Sequence, residues 1–129
     1  MLTMTDFERA VLQKLLTGDH PILNALSAQV AASRIGKREF TGVGFFTTFE
    51  LSAGAPRAPL PPGRIAFGDV IAEIQGLKHG AGFVLFIENG YIDFLEGYTY
   101  DEPWPERITD FQLKYMGGEL RDLSSLETN

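Results

Sequence analysis

The chain of 129 residues contains no cysteine. That removes structural disulfides, thiolate metal sites, thiol redox chemistry and a cysteine nucleophile together. A reducing compartment suits such a composition. Basic charge is also scarce: eleven Lys and Arg stand against seventeen Asp and Glu, a formal net charge of −6. An acidic chain repels phosphate backbones, so nucleic acid is not an expected partner. The short basic cluster Arg34, Lys37 and Arg38 reads as a solvated connection.

Long apolar runs are missing. The longest, "FVLFI" at 83–87, is strand-sized, far short of the ~20 residues that cross a bilayer as a helix. The opening "MLTMTDFERA" has no basic segment ahead of an apolar run, so no leader is read there. The expected location is the cytoplasm, with no membrane involvement. Histidine occurs twice, at His20 and His79, with no second nitrogen ligand near either in sequence. Spacing gives no support to a carboxylate-only cation site.

Catalytic and nucleotide signatures are absent as well. "GVG" at Gly42 and "GAG" at Gly80 lack the third glycine of a dinucleotide turn. Gly36-Lys37 is preceded by Ala31 where a phosphate loop needs glycine, and followed by Arg38 where it needs Ser or Thr. There is no G-x-S-x-G and no H-E-x-x-H. Catalysis is therefore the less favoured reading, and neither cofactor nor metal is expected.

What is present describes one ordinary domain, 44% hydrophobic and 22% charged. Thr5 can cap a first helix, with Asp6 and Glu8 in its first turn and Phe7, Val11, Leu12, Leu15 and Leu16 at helical spacing. Gly18 stops it. A second helix opens near Asp19, tolerates Pro21 in its first turn, and carries Ile22, Leu23, Leu26 and Val30 as its stripe. Helices over about residues 5–33 thus suggest a hairpin.

From about Glu39 the apolar period becomes two. In "TGVGFFTTFEL", Val43, Phe45, Phe49 and Leu51 share one side, while Gly42, Gly44 and Phe46 share the other, where the glycines permit a bulge or a close approach. Four prolines in Ser52–Arg64 make a surface loop. A second strand follows in "RIAFGDVIAEIQG", then two strands flanking the Asn89-Gly90 turn, then "FQLKY". The expected fold is α+β: an N-terminal helical hairpin on a mostly antiparallel meander of four to five strands over about 39–116, a two-layer sandwich. A polar tail occupies 117–129.

A two-residue turn at Asn89-Gly90 fixes register. Counting back from it sets Ile87 opposite Ile92, Phe86 opposite Asp93, Leu85 opposite Phe94, Val84 opposite Leu95 and Phe83 opposite Glu96. Both faces of that pair are then substantially apolar, so the Pro-rich loop and tail cover the second face, or another subunit does. Self-association into a homodimer is the favoured expectation. Glu96 would sit among apolar side chains. Asp69, Glu73, Glu96 and His79 then form a candidate pocket for acid–base work or ligand binding, provided they converge. The alternative is a strand end, or an ion pair with Arg64, Lys78 or Arg107.

The densest stretch is "FLEGYTYDEPWPE", 94–106, with four aromatics, four carboxylates and two prolines. Tyr98, Tyr100, Asp101, Glu102 and Trp104 make a candidate binding surface, since a Trp held between prolines presents large apolar area at little ordering cost. Trp104 can equally fold back as a lid on the core. "LEGYTYDEPWPE", preceded by "GFVLFIENGYIDFLEG", resembles a small family of uncharacterised bacterial proteins. Acidic charge, small size and the aromatic-acidic strand end are also reminiscent of immunity proteins that neutralise toxins by binding them. The resemblance implies no activity and assigns no catalytic residue. The expected function is a non-enzymatic protein-interaction module with a basic protein partner, set against a small-ligand or hydrolytic site.

Overall fold

The computed structural model describes residues 2–118, 121 and 123–126. It is α+β, with two helices and seven strands in one antiparallel sheet. Helix α1 spans Asp6–Leu15 and α2 spans Pro21–Ala31. Thr5 caps α1: its hydroxyl accepts from the Glu8 N–H, while the Glu8 carboxylate accepts from the Thr5 N–H. Two otherwise unpaired donors are satisfied at once. The cap of α2 is His20 rather than Asp19, its Nδ1 accepting from the Ile22 N–H.

The strands are β1 Ser33–Phe40, β2 Gly44–Leu51, β3 Arg64–Phe67, β4 Val70–Ile74, β5 Ala81–Glu88, β6 Tyr91–Thr99 and β7 Phe111–Tyr115. They lie in the order β1-β2-β6-β5-β4-β7, with β3 also pairing β5. The sheet is therefore larger than the four to five strands expected. The surplus has two sources. "SRIGKREF", read as a solvated connection, is edge strand β1, whose Arg34 lies opposite Glu50. The segment "RIAFGDVIAEIQG" is two strands, interrupted where a Cβ on Gly68 would lie 2.1 Å from the Phe83 carbonyl oxygen. Close backbone approach also occurs at Gly44, where a Cβ would meet the Gly97 carbonyl oxygen at 1.9 Å.

Alternation decides what each face carries. Ile35, Phe45, Phe49, Phe67, Val70, Ala72, Ile74, Phe83, Leu85, Ile87 and Leu95 turn inward and join Phe7, Val11, Leu12, Leu15, Leu23 and Leu26 of the helices in one buried cluster. Both helices contribute to that cluster. Phe7 packs against Phe83 and Phe111 at 5.6 and 4.9 Å between ring centroids. No helix among the described residues is long and apolar enough to cross a membrane.

Two segments read as loop and tail help close the inner layer. Ala58 and Leu60 of the Pro-rich loop are buried, and Gln29 on α2 donates to the carbonyls of Pro56 and Gly90 while accepting from the Ile92 N–H. In the tail, Leu126 is buried and Arg121 donates to Asp69 and to the carbonyls of Leu15 and Thr17. Within the tail, Glu119, Leu120, Asp122 and 127–129 lie outside the described set.

The register of the β5–β6 hairpin departs from the simple count. Asn89 and Gly90 take the left-handed backbone the turn needs, with φ of 52° and 84°. Ile87 pairs with Ile92 as expected, but the next pair is Phe86 with Phe94, leaving Asp93 as an extra residue. Leu85 then faces Leu95, Val84 faces Glu96 and Phe83 faces Gly97. A bulge shifts every later residue of the strand by one place. Phe94 and Glu96 consequently leave the helix-covered side for the other face.

Candidate functional site

The face turned away from the helices is built from β2, β6 and β5 at its centre. Phe46, Phe94 and Phe86 form a continuous aromatic row: Phe46 and Phe94 meet edge to face at 5.7 Å, and Phe94 stacks on Phe86 at 4.4 Å. Along β6 the row continues through Glu96 to Tyr98, which meets Tyr100 at 5.6 Å. Gly82 makes room for this arrangement, because a Cβ there would lie 2.6 Å from the Tyr98 ring. Phe46, Val84, Phe86, Phe94, Glu96 and Tyr98 are each half-buried. Neither the described loop residues nor the described tail covers them, since both anchor on the helix side.

Charged pairs surround the row. Arg34 lies 2.8 Å from Glu50, Lys37 2.5 Å from Glu39 and Lys114 2.6 Å from Glu73. Arg64 stands 3.3 Å from Asp93 and 3.4 Å from Glu88, the latter without a hydrogen bond to that Glu88 oxygen. Its guanidinium carbon also lies 5.5 Å from the Phe94 ring and 5.8 Å from the Phe86 ring. The face thus has an apolar aromatic centre inside a charged rim.

Glu96 is the exception on this face. Its cross-strand neighbours are Phe46 and Val84, and its neighbours along the strand are Phe94 and Tyr98. Its carboxylate makes no ion pair and no hydrogen bond among the described residues. Burial among these side chains pushes its carboxyl above the usual carboxylate range. The Tyr98 phenol is pushed up to about 12, first by burial, then by its hydrogen bond with Tyr100 and by the negative charge nearby, including Glu96. It stays a neutral hydrogen-bonding group throughout the physiological range.

The candidate binding residues do not form one surface. Tyr98 and Tyr100 lie together on the open side. Asp101 is an exposed turn residue with φ of 61°. Glu102 accepts the backbone N–H groups of Lys78 and His79 at 3.0 and 2.9 Å, which holds its carboxyl below the ordinary range and fastens the β4–β5 turn. Trp104 turns the other way, packing at 5.1 Å from Phe45 and 6.3 Å from Phe7. Its indole closes the end of the helix-covered layer.

Nor do the pocket candidates converge. Asp69 is buried on the helix side, paired with Arg121 at 2.8 Å. Glu73 is exposed on the opposite face with Lys114. Glu96 stands on that face two strands away, beyond β5. Glu73, His79 and Tyr100 do border one open groove, together with Lys78 and Asp110. Acid–base work by Asp69, Glu73 and Glu96 together is ruled out by this geometry. Among the described residues there is no group of three or more His, Asp or Glu placed to hold a metal ion.

The most buried carboxylate among the described residues lies elsewhere. Glu8 faces Arg38 at 2.6 Å and accepts from the Thr47 hydroxyl. Burial raises its carboxyl, but the bonds from Arg38, Thr47 and the Thr5 N–H, with the Arg38 charge, outweigh burial and lower it overall. With every acceptor engaged it is a structural tie between α1 and the β1–β2 pair. Comparison with protein-family models, curated proteins and solved structures finds no match to the chain.

Proposed function

We propose that the protein is a non-enzymatic interaction module whose open sheet face receives another polypeptide. One observation carries this reading: a sheet sealed by helices on one side presents the aromatic row Phe46–Phe94–Phe86, extended by Tyr98 and Tyr100, on the other. A sheet face meeting only water would alternate polar residues at these positions. A contiguous row of half-buried aromatic side chains on an open face is the kind of apolar patch that marks a contact site. The resemblance to toxin-neutralising immunity proteins, which act by binding, agrees with it.

The test is native mass spectrometry of the untagged protein purified gently from its own cells, comparing wild type with Phe46→Ser and Phe94→Ser. Circular dichroism establishes that each variant folds. A second polypeptide bound to wild type and lost from both variants supports the reading. Retention by folded Phe46→Ser and Phe94→Ser would sink it.

A further inference from the structure

We propose that the occupant of the open face is a basic polypeptide that sets an arginine or lysine side chain against Glu96. This rests on the interaction-module reading and adds the partner's chemistry. Each of the other strand carboxylates on this face, Glu39, Glu50, Glu73, Glu88 and Asp93, lies within ion-pair distance of a cation from its own chain. Glu96 is the one left without, among the described residues, and it is the one at the centre of the aromatic row. A carboxylate on apolar ground weakens the fold unless something outside the chain compensates it.

The chain itself shows that these rings accept a guanidinium, for Arg64 already lies over Phe86 and Phe94. On the other side of Phe94, the position bordered by Glu96, Phe46 and Tyr98 offers a carboxylate and aromatic rings with no cation supplied. A second copy is the poorer occupant. Pairing across a two-fold axis at Glu96 would oppose two uncompensated carboxylates, between chains each carrying −6. A basic partner is instead attracted at long range and neutralised on arrival.

The probe is a short acetylated peptide with a central arginine between leucines, alongside its counterpart carrying neutral citrulline. Both are titrated into the isotope-labelled protein and followed by amide NMR. Saturable shifts should appear at Val84, Phe94, Glu96 and Tyr98. The arginine peptide should bind about tenfold more tightly than the citrulline peptide, the worth of one charge-assisted contact. Glu96→Gln should abolish that preference, whereas Phe94→Ser should weaken both peptides alike. Equal binding of the two peptides at this face would overturn the cation while leaving the interaction module standing. Shifts confined to other surfaces would overturn both. A dimer seen by native mass spectrometry and lost on Phe94→Ser would assign the face to a second copy and overturn the basic partner.

Discussion

Gln29 on α2 donates to the carbonyl of Gly90 at 2.8 Å, 61 residues further along the chain. The same amide group donates to the Pro56 carbonyl, and its oxygen accepts from the Ile92 N–H. One fully buried side chain therefore joins the second helix, the Pro-rich loop and the tip of the β5–β6 hairpin. Replacing it removes the partner of the buried Ile92 N–H and of the Pro56 carbonyl, while the Gly90 carbonyl keeps the Ala58 N–H. Gln29→Leu should lower unfolding free energy by roughly 3 kcal/mol, since each orphaned buried group costs about 1–3 kcal/mol. Urea denaturation checks this. A loss under about 1 kcal/mol would mean that water satisfies these groups.

Trp104 separates the two readings of the aromatic-acidic stretch. Its indole contacts Phe7 and Phe45, and its N–H backbone group donates to the Gly42 carbonyl. Trp104→Ala should therefore act on stability, by about 2 kcal/mol for a half-buried aromatic, and leave binding at the open face unchanged. Thermal unfolding and the peptide titration, run on the same variant, measure the two effects separately. Lost affinity with unchanged stability would restore Trp104 as a contact residue.

Much of the fold is legible in local pattern. The Thr5 cap, the 3.6-residue stripe of α1, the Asn89-Gly90 turn and the alternation in "FQLKY" each specify one element through one dominant interaction. Strand β1 was hidden because its sequence is that of a protected edge: Arg34, Lys37 and Arg38 mask the period that Ile35 alone would not reveal. The composition of the open face escapes a simple count for a different reason. Ile92 and Leu95 both turn inward three residues apart, a step that breaks the period of two and signals the bulge at Asp93. Without it, Phe94 and Glu96 fall on the buried side. Convergence of Asp69, Glu73 and Glu96 depended on that register and on tertiary pairing with Arg121, which no local pattern encodes.

Glu8 and Glu96 should respond to acid in opposite directions. Glu8 titrates below its unfolded value, so its contribution is complete above that value and is lost as pH falls through the folded one. Stability should therefore drop below about pH 4, near the ordinary glutamate value, and Glu8→Gln should flatten that part of the profile. Glu96 titrates above its unfolded value, so it favours folding at low pH and the benefit is lost as pH rises through the folded value. At neutral pH its charge opposes folding. Glu96→Gln should accordingly unfold at a slightly higher temperature than wild type at neutral pH, with the gap closing as acid protonates the wild-type carboxyl. Thermal melts from neutral pH down through the ordinary glutamate value and well below it record both trends. A neutral-pH melting temperature that falls on Glu96→Gln would mean that the carboxylate already stabilises the free protein, and that its charge is held for the fold rather than for a partner.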